Sequence, residues 1–343
     1  MVRGDSVGGN GALIRRHESR RMGGWLHRIL TAVELTRIAA GFGAVCDIWF
    51  VTVLSGIGWK NAGESLAIES LLVPMLGAFM VSVGLFGYGS VLNDLLDVRH
   101  DRAFSPDRPL AAGQVRITQA VIGLVGLFII AVLGAMFLGQ ESVFITLVVA
   151  AALMFYNVAG RFIPAVGVVT VGLVYALHML IPEIRFPLFL AVWLIMSHVM
   201  ILAVLVHLLE DKRPRISIRS VSGIIAGWAC WSALILAIRP LRGLPLWPAD
   251  QSGVDLLWPC GAMLLMAGVG WWKIRTAGTG QRASERLKRY GGAWHAVYAA
   301  AWFAALQLWW ASLAFLILGL VGLVAMTVVR EVSGLGPGKL EYR

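Results

Sequence analysis

The sequence predicts an all-α fold, a polytopic membrane bundle of about nine transmembrane helices, on three observations. Apolar residues make up 58% of the 343 and charged residues only 14%, with a mean hydropathy of +0.77, whereas soluble domains hold about half apolar and a quarter charged residues. The apolar residues fall into repeated stretches near the roughly 20 residues of helix that cross a hydrocarbon core of about 30 Å. Lys and Arg collect in alternate loops between those stretches.

The chain opens on residues rich in Gly and Arg, through Gly24. They lack the apolar core of about 7–15 residues that a signal peptide needs, so residues 1–28 read as a disordered, basic cytoplasmic tail. Residues 29–330 read as one membrane domain and 331–343 as a polar tail. Its spans are expected at 33–55, 68–92, 117–138, 142–158, 163–181, 188–209, 218–238 and 254–272. A last apolar stretch, 293–329, would be about 55 Å long as one helix, too long for one straight crossing. It reads as one broken helix or two joined ones, with nine crossings favoured over ten.

With the N-terminus inside, the tail and the loops on its side carry 21 Lys and Arg, from Arg3 to Arg289. The opposite loops carry only Lys60, Arg185, Arg239 and Arg242. This asymmetry fixes the expected orientation in a cell membrane and places the basic loops in the cytoplasm. It also accounts for the bulk of the positive charge behind the net +10 without any nucleic-acid partner. Cys46, Cys230 and Cys260 sit in apolar spans without CxxC spacing, which argues against a zinc site or a disulfide framework. The tryptophans mostly fall near span ends, as an interfacial belt does.

The chemistry is expected where span 2 leaves the membrane, in Asn93-Asp94-Leu95-Leu96-Asp97-Val98-Arg99-His100-Asp101-Arg102. Asn93, Asp97 and Asp101 are four residues apart and share a helical face, with Asp94 to the side. Carboxylates at that spacing repel one another, and a divalent cation relieves the repulsion. Magnesium favours such a set, one or two carboxylates completed by substrate phosphates. Arg108-Pro109-Leu110-Ala111-Ala112-Gly113 follows, and a guanidinium fork suits a diphosphate better than an ammonium does.

These two runs resemble the first signature of the UbiA superfamily of intramembrane prenyltransferases. The resemblance covers residues 33 to about 330 and implies nine helices, with signatures after helices 2 and 6. It implies that Asn93, Asp97 and Asp101 hold magnesium on a prenyl diphosphate, with Asp94 nearby and Arg102 and Arg108 neutralising phosphate. Arg37, near the start of span 1, matches an arginine that faces the diphosphate. Tyr156 and Arg161 match the family's Tyr-x-x-x-Lys-Arg pattern after span 4, but Gly160 stands where the lysine is usual.

The second signature is altered. The family carries Asp-x-x-x-Asp there, and this chain reads His207-Leu208-Leu209-Glu210-Asp211-Lys212-Arg213-Pro214-Arg215. Either Glu210 or Asp211 keeps a second metal, or Lys212 and Arg213 bind phosphate in its place, with His207 on the face of Glu210. Inside the membrane, Asp47 either orients a polar acceptor or supports a helix contact. His178 and His198 read as satisfied core residues.

The implied reaction moves a polyprenyl group from a prenyl diphosphate to an aromatic or other lipophilic acceptor. The diphosphate leaves under cationic stabilisation while apolar helices exclude water. Competing readings are a binding or transport protein that keeps the fold without the chemistry, and a terpene cyclase. A CDP-alcohol phosphotransferase is excluded because no Asp-x-x-Asp-Gly-x-x-Ala-Arg run occurs.

Overall fold

The computed structural model describes residues 41–57, 68–106, 108–248, 251–278 and 280–334. The N-terminal tail 1–28, Arg37 and residues 335–343 lie outside these. The described chain is all-helical, and the order is α1 (Phe42–Ile57), α2 (Ile68–Phe104), α3 (Ile117–Met136), α4 (Gln140–Val158) and α5 (Pro164–Met179). Then come α6 (Phe189–Leu209), α7 (Ile218–Leu241), α8 (Leu257–Ala277), α9 (Gln281–Ala305) and α10 (Trp309–Gly334). Seven of the described helices are long and apolar enough to cross a membrane, and Phe42–Ile57 and Pro164–Met179 are shorter apolar helices.

The 293–329 stretch is two helices. α9 ends in a Schellman motif: Gln307 takes a left-handed φ of 62°, its N–H bonds Ala304 O, and Leu308 N–H bonds Phe303 O at 2.8 Å. Such a motif usually has Gly at the left-handed position, and a glutamine there gives no break signal. α10 returns along α9 and buries Ser312, Phe315 and Met326.

α9 is the central helix and packs on α1, α6, α8 and α10. In its second half Ala296 and every residue of Tyr298–Ala305 are buried, and its alanines permit the close approach that membrane interfaces exploit. One core cluster joins α1, α5, α6, α9 and α10, and a second joins α1 to α5 through Ile48, Leu85, Val149 and Val174. α2 and α3 approach closely at Gly84, where a Cβ would lie 2.6 Å from Ala131 N and 2.7 Å from Leu127 O, and at Gly134, where one would lie 2.6 Å from Gly77 O.

Two contact sets define the ends of the bundle. The C-termini of α2 and α4 meet through Asp97 and Arg161, and those of α6 and the N-terminus of α9 meet through Glu210 and Lys288. Since α4 and α6 are separated by one hairpin pair, both sets lie at the same end. The other end carries Glu141 with Arg185 and Gln307 with Asp255.

Candidate active site

α2 does not stop where its apolar run ends. It runs for 37 residues, so Asn93–Arg102 forms its last turns. At about 100° per residue, Asn93 and Asp97 sit roughly 40° apart, and Asp94 and Asp101 roughly 20° apart. The structure accordingly divides the run into two pairs, each gripped by one arginine from elsewhere. Arg161 Nη1 donates to Asn93 Oδ1 at 2.8 Å and to Asp97 Oδ2 at 2.6 Å, and its Nη2 bonds Asp97 Oδ1. Asn93 Nδ2 also donates to Asp97 Oδ2 at 3.2 Å. Arg108 Nη1 donates to Asp101 Oδ2 at 2.8 Å and lies 3.7 Å from Asp94 Oδ1.

Local packing brings both arginines there. After α2 the chain turns at Arg108–Gln114, with Ala112 N–H on Arg108 O and Gln114 N–H on Pro109 O. Leu110 anchors that turn in a small cluster with Val91 and Ala120. Arg161 stands in a short 3-10 turn, Gly160–Phe162, between α4 and α5. Gly167 lets this turn sit against α5, since a Cβ there would lie 3.2 Å from both Arg161 Cα and Gly160 O. Asn157, buried one turn earlier, donates to Gly89 O and Leu153 O and so ties α4 to α2. The Arg161 guanidinium lies over the Phe162 ring at 5.0 Å.

The second acidic run is built differently. α6 ends in its own Schellman motif, with Asp211 N–H on Leu208 O and Lys212 N–H on His207 O. Asp211 holds the left-handed position at φ 44°, which polar short side chains tolerate. The two adjacent carboxylates therefore diverge. Glu210 turns inward, where Oε1 takes Ser284 Oγ and Lys288 Nζ from α9, and Oε2 takes Lys212 Nζ at 3.0 Å. Burial pushes the Glu210 carboxyl up, but the bonds from Lys288, Ser284 and Lys212 outweigh it and bring the pKa down to about 2. Asp211 turns outward to Arg215 at 3.1 Å, which holds its carboxyl below the usual range.

Deeper in the bundle, Asp47 of α1 meets His295 of α9, with Oδ2 2.7 Å from Nδ1. His295 stands edge-on to His198 of α6, whose Nδ1 lies 3.3 Å from Tyr298 Oη and whose Nε2 lies 3.3 Å from Gly291 O. His178 pairs with Ser82 of α2 at 3.1 Å. Asp47 thus makes a helix contact in this structure. Asp47→Ala should strand the His295 ring and cost about 1–3 kcal/mol, while Asp47→Asn, which keeps an acceptor oxygen, should cost less. Thermal unfolding in detergent would measure both, and equal losses would contradict the pairing.

The profile of the UbiA prenyltransferase family matches residues 49–292, a span that takes in both acidic runs and all helices from α2 to α8. The chain belongs to this family. It is therefore a multi-pass membrane protein. Among solved structures, one of digeranylgeranylglyceryl phosphate synthase aligns over 82% of this chain and 99% of its own, at 16% identity and a TM-score of 0.53. A UbiA homologue from Archaeoglobus fulgidus aligns over 81% and 99%, at 14% identity and a TM-score of 0.51. These likenesses show the fold. By sequence, digeranylgeranylglyceryl phosphate synthase of Methanosarcina barkeri is 30% identical over 150 residues, 42% of this chain and 50% of the relative. That of Sulfurisphaera tokodaii is 25% identical over 123 residues, 36% and 41% of the two chains. The matched stretches thus span half or less of these relatives.

UbiA membership raises the question whether the charged helix end suits magnesium. The donors on α2 are all oxygens, an amide and three carboxylates within about two turns, against two guanidiniums. That set fits a hard cation whose shell is completed by phosphate. It does not make a closed cage: among the described residues, no three His, Cys, Asp or Glu side chains converge to hold a metal unaided. The other sequence-derived residues divide by place. Arg102 is exposed on the last turn of α2, and Tyr156 is half-buried on the last turn of α4. His207 Nε2 lies 3.0 Å from Pro214 O, and Arg213 is exposed. Sequence reasoning missed Asn157, Ser284, Lys288 and His295 as parts of these clusters. Polar residues inside apolar spans signalled Asn157 and His295, whereas Ser284 and Lys288 sit in a polar stretch that gave no such contrast.

Proposed function

We propose that this chain is a magnesium-dependent intramembrane prenyltransferase, moving a prenyl group from a prenyl diphosphate to a lipophilic acceptor at the cytoplasmic end of the bundle. The observation that carries this reading is the cluster of four oxygen-bearing side chains and two arginines at the last turns of α2. Asn93, Asp97 and Asp101 would hold magnesium, with Asp94 beside them, and the ion would supply positive charge to the departing diphosphate. Arg161 and Arg108 now occupy the carboxylates. Each guanidinium keeps further N–H donors for phosphate oxygens, whose geometry its fork matches.

Preorganised positive charge of this kind lowers the barrier by stabilising the leaving group as its charge grows. The apolar helices below the charged ring keep water from the allylic cation and accept the prenyl tail. The relatives' name, digeranylgeranylglyceryl phosphate synthase, supports a glyceryl phosphate lipid as the first acceptor to try, ahead of an aromatic ring.

The purified protein, given magnesium, prenyl diphosphates of several lengths and both acceptor types, should yield a prenylated acceptor and free diphosphate, identified by mass. Binding without diphosphate release would favour the transport reading. A cyclised prenyl product with no acceptor attached would favour the cyclase.

A further inference from the structure

The end of α6 does not fit a second metal ion. Both Glu210 oxygens are engaged, Oε1 by Ser284 and Lys288 and Oε2 by Lys212, and Ser284 is fully buried. Asp211 cannot join Glu210 on an ion without unwinding the Schellman turn that points it at Arg215, and its side chain is 65% exposed. A metal arriving here would have to displace two ammonium groups from one carboxylate.

The formal charge of Glu210, Lys212 and Lys288 together is +1, so the cluster repels a cation and attracts an anion. Each lysine Nζ carries three donors, and its bond to Glu210 uses one of them. The remaining N–H groups are free in number to meet phosphate oxygens. Glu210 fixes both ammoniums in place and prevents them from separating by mutual repulsion.

We propose that this chain works with a single divalent cation, at the end of α2, and that Lys212 and Lys288 bind phosphate directly where relatives with two acidic runs would place a second metal. Glu210 is then a positioning residue for the two lysines. This rests on the prenyl-diphosphate reading of the first cluster.

The test uses the full chain in detergent with Mn2+ and an unreactive prenyl thiodiphosphate, with free Mn2+ read by electron paramagnetic resonance. One Mn2+ per chain is expected, and Glu210→Gln should leave that count at one. Lys288→Gln should weaken the thiodiphosphate by about tenfold, the loss of one charge-assisted bond, without changing the Mn2+ count. Lys288→Arg should recover most of the affinity, which a purely structural role would not require. Two Mn2+ per chain, with one lost in Glu210→Gln, would overturn the inference and leave the prenyltransferase reading standing. Unchanged thiodiphosphate affinity in Lys288→Gln would also overturn it. If the native chain bound neither Mn2+ nor the thiodiphosphate, both readings would fall together.

Discussion

Asp97→Ala should reduce magnesium-dependent prenyl transfer by at least about 10²–10³-fold, the scale on which removing one preorganised charge-stabilising group slows an enzyme. Asp97 is the hub of the first cluster, since both of its oxygens are bonded, by Arg161 and by Asn93. It is also the carboxylate best placed to share a cation with Asn93, one turn away on the same face. Its side chain is 22% exposed, and the Arg161 guanidinium keeps its bond to Asn93 Oδ1 and its place over the Phe162 ring, so the loss of Asp97 does not leave that cation without a partner. The protein should stay folded. Transfer assays on membranes, with thermal unfolding of the same preparation, separate the two effects. Wild-type turnover in a folded Asp97→Ala protein would end the assignment.

Arg161→Ala should change two measurements in opposite directions. The guanidinium competes with a cation for Asp97, and charge-assisted bonds of this type are worth about 1.5–3 kcal/mol. Freed of that competitor, the carboxylate should bind magnesium about tenfold more tightly or better. Turnover should nonetheless fall by about 10²-fold, because a cation that would stabilise the leaving diphosphate is gone. Arg161→Lys should fall between, since a lysine supplies charge without the fork that spans Asn93 and Asp97. Magnesium titration of activity gives both numbers for each variant. A fall in turnover with weaker magnesium binding would mean that Arg161 supports the site structurally rather than competing within it.

The fold was legible because its information is local. A run of apolar residues that ends at Asn93 states both a span and its edge, and spacings of four place Asn93, Asp97 and Asp101 on one side of α2 before any packing is known. Arg161 was legible through its position after span 4, although its partner was not, since 64 residues separate it from Asp97. What stayed hidden depends on backbone turns without a marker residue or on contacts between distant segments. Gln307 and Asp211 both occupy left-handed positions where glycine is the usual sign, so the point at which α9 gives way to α10 and the divergence of Glu210 from Asp211 left no trace, although the length of the 293–329 stretch already called for a break or a second helix. Spacing alone put Glu210 and Asp211 side by side as candidate ligands. The helix cap sends them to different partners. Lys288 stands among several basic residues of its stretch, and nothing in its neighbourhood announces a glutamate 78 residues away. Asp47 was recognised as a buried charge, and its partner His295 comes from the far end of the chain.

The central claim is that the oxygen side chains of α2 hold a cation against a lipid diphosphate. Phosphorus relaxation of a bound prenyl thiodiphosphate in the presence of Mn2+ tests it directly, because the paramagnetic ion broadens only phosphorus nuclei close to it. Strong broadening in the native chain, abolished in Asp97→Ala, is the predicted result. Broadening that persists unchanged in Asp97→Ala would place the cation elsewhere and contradict the account.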